Sequence, residues 1–177
     1  MTECSLGIVE CLKKDNINPE AFASDYESSN RPSNALINDN SYFQSSTTKS
    51  NQWWSIDFKK NIEIDSYMIK TLSSACFYIR QWLAYVSINN KDWTLVDKVT
   101  DGPPLGKTYA LDQPVVARYF RINGSSSGCT PSACFSMNYI KFIGKLNPTL
   151  KYRADCSCSC RKTRSKLLYF ITLVICS

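Results

Sequence analysis

The chain has 177 residues, 44% apolar and 12% aromatic with 20% charged, enough for one domain with a core and too hydrophobic for disorder. Histidine is absent, which excludes Ser-His-Asp and Cys-His nucleophile pairs and His-ligated catalytic zinc. The net charge of +6 is uneven: residues 147–177 carry +5 and the preceding 146 only +1, so the body of the chain has no electrostatic case for nucleic acid.

In chain order, Leu6 to Lys14 is expected to form a short helix, ending before the turn-forming Asp15-Asn16 and Asn18-Pro19. Residues 30–51 are rich in Asn, Asp, Ser and Pro, whose side chains satisfy backbone groups locally and favour loops. Strand patterns follow in series. Trp54, Ile56 and Phe58 alternate with Trp53, Ser55 and Asp57, the period of a half-buried strand. Ile62, Ile64, Tyr67 and Ile69 form a second strand, and 83–88 a third. The polar turn Asn89-Asn90-Lys91-Asp92 leads into a fourth at Trp93 to Val96. Residues 115–122 and 135–143 close the series. Many short strands and no long amphipathic helix predict an all-β, antiparallel sandwich or barrel over residues 1–146. Residues 147–177 read as a basic, Cys-rich tail, disordered and dispensable for folding.

The core is expected to include Trp53, Trp54 and Trp93. Arg121 lies between Phe120 and Ile122, so an inward-facing pair should flank it and a carboxylate should meet it; Asp57, Asp65 and Asp97 are the candidates. No metal and no cofactor is expected. Cys156, Cys158 and Cys160 are too few and too closely spaced for a closed zinc site. The apolar run 167–176 has ten residues and is too short to span a bilayer as a helix. With its basic neighbours it forms at most a membrane-surface anchor, an alternative role for the tail. The first residues lack the pattern of a secretory leader, so the expected location is cytoplasmic, with an extracellular one left open, and the nine cysteines are expected as free thiols.

An ordered set of segments carries a family resemblance: Asn34-Ala35, Gln52 to Phe58, Ile64, Ser87 to Thr94, Ala117 to Ile122, and Ile140 to Gly144. Together they resemble the coagulation factor 5/8 type C, or discoidin, domain. That resemblance implies a jelly-roll, galactose-binding-domain-like sandwich with no catalytic residues, binding a glycan or a protein partner through loops at one end. The alternative is an intracellular adaptor of the kind appended to BTB proteins. The loops carried over by position are 25–31, 45–51, 73–80 and 124–134. Their candidate ligand residues are Tyr26, Arg31, Lys49, Asn51, Phe77, Tyr78 and Arg80, with Trp53, Trp54, Asp57, Trp93 and Arg121 as structural core. Phe77 and Tyr78 would otherwise fold back as a lid over the sandwich end. Many sugar-binding relatives hold a structural calcium at two positions that are occupied here by Ile37 and Lys141, a departure that opposes a divalent cation.

Overall fold

In the computed structural model residues 6–46, 52–71, 78–102, 106–127 and 136–147 are described, the side chains of 125–127 excepted. Lys49, Asn51, Phe77 and the tail beyond Asn147 lie outside the described residues.

Among the described residues one helix, α1 (Ile8–Lys14), precedes eight strands: β1 (Glu20–Ala23), β2 (Phe43–Gln44), β3 (Trp53–Lys70), β4 (Ile79–Ser87), β5 (Thr94–Val99), β6 (Lys107–Ser127), β7 (Ser136–Met137) and β8 (Tyr139–Lys145). A 3-10 turn, Pro32–Leu36, lies between β1 and β2. All ladders are antiparallel, so the all-β sandwich expected from the sequence is the fold.

Two long strands build both layers. The first part of β3 and the last part of β6 pair as Trp53↔Asn123 to Asp57↔Tyr119, with β1 on one side and β4 then β5 on the other. The pairing then slips between Asp57 and Ile62, where Lys59 takes a left-handed φ of 65°. Beyond the slip β3 pairs with the first part of β6 and with β8, forming the second layer. Bulges bend strands in this way. Pro114, which has no N–H to donate, falls in a second slip, between the pairs Ile64↔Val115 and Ser66↔Ala110. The sequence pattern suggests two separate strands over 54–69; the chain makes one strand, because a kink at Lys59 re-aims the backbone without ending its pairing.

The layers meet through aromatic side chains. Phe142 contacts Phe58 and Phe120 with ring centroids 5.0 Å apart, and Phe120 contacts Tyr67 at 5.1 Å. Edge-on and tilted pairs of this kind add to the burial of the rings. Trp54 is fully buried and its Nε1–H donates to the Pro32 carbonyl at 3.0 Å, which ties the 3-10 turn to the core. Ile8, Val9 and Leu12 of α1 join the same cluster, while the Tyr139 hydroxyl donates to Glu10 at 2.6 Å. Cys11, on α1, is disulfide-bonded. The free-thiol expectation fails there: it was drawn from compartment, whereas bonding is decided by the proximity of two Cβ atoms.

Three residues assigned to the core lie elsewhere. Trp54 and Asp57 are buried as expected, but Trp53, Trp93 and Arg121 are half-buried on the outer face of the first layer. Strand parity explains Trp53 and Arg121, since their neighbours Trp54, Phe120 and Ile122 take the inward positions.

Candidate functional site

The end of β1, the starts of β3 and β4, and the ends of β5 and β6 are brought to one end of the first layer by the register. Segment 24–31 and the described residues that flank the other connections, among them Gln52, Tyr78, Asp101, Gly102 and Gly124, therefore lie at that end. Buried polar groups hold it together. Ser24 Oγ donates to Gln52 Oε1 at 2.6 Å and accepts from the Trp53 N–H at 3.0 Å. The Gly124 N–H donates to the Gln52 carbonyl, and that of Asn138 to the Lys70 carbonyl. Loop 25–31 is pinned to β2 by the Glu27 N–H donating to Gln44 and the Gln44 N–H donating to Asn30. A rigid sheet end carrying short polar loops is a common setting for recognition.

Tyr26 and Arg31 are exposed on the 25–31 loop, beside the β1 edge. Tyr78 and Arg80 lie across the sheet, at β4. Both sit closer to regular strand than the sequence suggests: Tyr78 bridges to Ser136, and Arg80 is within β4. Likewise β6 runs on to Ser127, into the stretch 124–134 expected as a loop. Arg80 Nε donates to Asp101 Oδ1 at 2.9 Å, with both side chains exposed (47% and 75%). That hydrogen bond, then the charge of Asp101 and more weakly of Tyr78, raises the Arg80 pKa further above its ordinary value. Asp101 is a site residue that the sequence reading missed. Its only local signal is the Asp-Gly-Pro turn, which says nothing of its partner.

Beneath this pair lies Trp82. The Gly102 N–H donates to the Arg80 carbonyl at 2.7 Å, and a Cβ built at Gly102 would lie 2.4 Å from the Trp82 ring. The indole thus forms a floor under Gly102 and positions the 101–102 turn.

Among the described residues no carboxylate meets Arg121. Its guanidinium is stacked between two indoles, with Cζ 4.0 Å from the Trp93 ring centroid and 4.4 Å from that of Trp53. Its Nε is buried without a hydrogen-bond partner, and burial lowers its pKa. Arg118 makes the ion pair instead: Nε and Nη2 donate to the two Asp57 oxygens at 2.9 and 3.0 Å. Lys59 adds a backbone donor to Asp57 at 2.7 Å. Burial alone would raise the Asp57 pKa, but the hydrogen bonds from Arg118 and Lys59 and their charges outweigh it and hold the carboxyl below its ordinary value.

The folded state thus binds this proton less tightly than the unfolded chain, where Asp titrates near about 3.9. The ion pair's contribution is complete above that value and is lost as pH falls through the depressed folded-state range. Melting Asp57→Asn beside the parent across pH should show a deficit of about 2 kcal/mol at neutral pH that shrinks as pH falls below the ordinary Asp range. A deficit independent of pH would mean that geometry rather than charge is responsible.

Among the described residues no group of His, Cys, Asp and Glu is arranged to hold a metal ion. Ile37 is exposed, and the Lys141 stem packs against Gly7. Equal melting midpoints are expected with excess calcium and with chelator; a rise of several degrees with calcium would overturn this, since a cation that binds the native state stabilises it. Among the described residues no helix is long and apolar enough to cross a membrane.

The family profile of the F5/8 type C domain matches residues 20–137. No curated protein matches the chain. Among solved structures, the chain is similar to the family 32 carbohydrate-binding module of Clostridium perfringens NanJ in complex with galactose (TM-score 0.62, 21% identity, covering 70% of this chain and 92% of that one). It is also similar to chitosan-binding module 1 of a Paenibacillus chitosanase/glucanase (0.65, 18%, 78% and 98%). A third, from C. perfringens, is in complex with GalNAc-β-1,3-galactose (0.63, 12%, 71% and 95%). With two thirds of its length matched by that profile on a two-layer antiparallel sandwich, the chain belongs to the F5/8 type C, or discoidin, domain family.

Proposed function

We propose that this chain is a non-catalytic glycan-binding module whose site lies at the loop end of the sandwich. The observation that carries this is the exposed Arg80–Asp101 pair beside Tyr78. A guanidinium that only donates and a carboxylate that only accepts, held 2.9 Å apart, match the alternating donor and acceptor character of neighbouring sugar hydroxyls. A phenol ring two residues away supplies an apolar face for a sugar ring. Because Asp101 already neutralises Arg80, the pair suits an uncharged sugar better than an acidic one. Family membership and the galactose- and GalNAc-galactose-bound neighbours support the same ligand class. The absence of histidine leaves no nucleophile–base pair of the usual kind.

The test is a glycan array with the purified chain, followed by calorimetry on the best ligand with Tyr78→Ala/Arg80→Ala. Affinity should fall more than tenfold, roughly one hot spot of 2 kcal/mol, with the melting midpoint unchanged. A lowered midpoint would make Tyr78 part of a structural lid. Unaltered binding in the folded variant would exclude this pair as the site, and a blank array would overturn the glycan reading.

A further inference from the structure

The outer face of the first layer is built around a cation rather than an apolar centre. The register aligns one residue from each of five strands in a single row: Phe22, Ser55, Arg121, Tyr85 and Leu95. At its two ends Phe22 and Leu95 are 45% and 50% exposed, and Ser55 beside Arg121 is buried. Phe22 and Leu95 stand at opposite ends of this one row, so an extended segment laid across the strands would meet both.

The charges on this face do not balance. Asp57 is taken up by Arg118 and Lys59, and Glu20 by Lys59. Arg121 has aromatic rings on both sides and no acid, and Lys98, exposed on β5 opposite Leu83, is in no ion pair among the described residues. The acids of the face are therefore engaged and two of its cations are not. A guanidinium clamped by two indoles has already lost its side-chain freedom, so a ligand carboxylate would meet it at little further entropic cost.

We propose that this face is a second binding surface, separate from the loop end, that receives an extended acidic peptide segment of a partner protein: a Glu or Asp over Arg121 and Lys98, with apolar side chains toward Phe22 and Leu95. Four strand spacings separate β1 from β5, about 19 Å, which about six extended residues cover. The unpaired cations Arg121 and Lys98 call for an acidic group, and the aliphatic Leu95 at the β5 end offers saccharide hydroxyls no partner, which favours an acidic peptide with apolar side chains.

The experiment is selection of a displayed random-peptide library on the purified full chain, repeated on Leu95→Ser/Lys98→Glu and on Arg80→Ala. Both β5 positions are exposed and leave the indole–guanidinium stack untouched. Recovered peptides should carry one acidic residue flanked by apolar ones. Their affinity should fall at least tenfold in the β5 variant and stay unchanged in Arg80→Ala, which disables only the loop-end site. Glu→Gln in a recovered peptide should cost a similar factor. Failure to enrich any sequence, enrichment of neutral or basic sequences, or indifference to the β5 changes would overturn the proposal. So would binding of sialylated or uronic-acid oligosaccharides that is lost in the β5 variant, which would assign the face to an acidic glycan.

Discussion

Gly144→Ala is expected to cost more than 3 kcal/mol, roughly the upper end of what overpacking a core costs, and to leave little folded protein. A Cβ at this position would lie 1.9 Å from the Glu63 carbonyl oxygen, 2.9 Å from the Glu63 carbonyl carbon and 3.0 Å from Ile64 Cα. All three are backbone atoms of β3, which pairs on its other side with β6, so no side-chain rotation relieves the clash. Gly144 stands opposite Ile64, beside the register slip before Ser66, where the two backbones approach closely. Glycine in a strand often marks such an approach. Ile143→Ala, one residue earlier and partly exposed, is the control and should cost under about 1 kcal/mol. Urea unfolding of both variants decides the matter. A Gly144→Ala variant within about 1 kcal/mol of the parent would show that β8 can shift away from β3 cheaply.

Much of the fold could be read locally. The period of two in residues 53–58 marks Trp54, Ile56 and Phe58 as inward, and all three are fully buried; the alternate positions are less regular, since Ser55 and Asp57 are also buried and only Trp53 is half-exposed. Parity of this kind is a property of consecutive residues. What escaped was non-local. Arg118 and Arg121 stand three apart on one strand, and nothing in their spacing says which faces Asp57; the slip between Asp57 and Ile62 decides it for Arg118. Trp93 was placed in the core because large aromatics are usually buried, yet it follows the hairpin turn and reaches across the outer face to Arg121. The first part of β6 was missed as well. Lys107 to Leu111 is a strand only because β3 offers it a partner.

The candidate site was legible to the same degree. A Tyr and an Arg near a chain turn marked 78–80 as a place for recognition, a placement carried over from the family. Its complement, Asp101, is 21 residues further on and meets Arg80 only because β4 and β5 pair. Ligand chemistry here depends on a residue pair, and pairs across strands are invisible without the register.

The second large effect is expected from Tyr67→Phe, which removes one oxygen and leaves the ring. The Tyr67 hydroxyl accepts a hydrogen bond from Trp82 Nε1 at 2.9 Å and donates to Asp97 Oδ2 at 2.7 Å. Trp82 and Tyr67 are buried, so the indole N–H loses its partner with no water to replace it. Burial, then the bond to Asp97, raises the Tyr67 pKa, so the phenol remains a donor across the working pH range. Burial also pushes Tyr109, stacked on Tyr67 with centroids 5.3 Å apart, up to about 12. Stranding one buried donor and weakening one acceptor should cost about 2–3 kcal/mol. A double-mutant cycle of Tyr67→Phe with Asp97→Ala should show a coupling of about 1 kcal/mol, because each change already removes their shared bond. The consequence should reach the loop end. Trp82 is the floor under Gly102, and Gly102 N–H is bonded to Arg80, so a shifted indole displaces Asp101 from Arg80. In Tyr67→Phe that remains folded, affinity for the array-selected glycan should therefore fall several-fold although no contacting residue has changed. A destabilised variant with unaltered affinity would separate the network from the site and confine Tyr67 to stability.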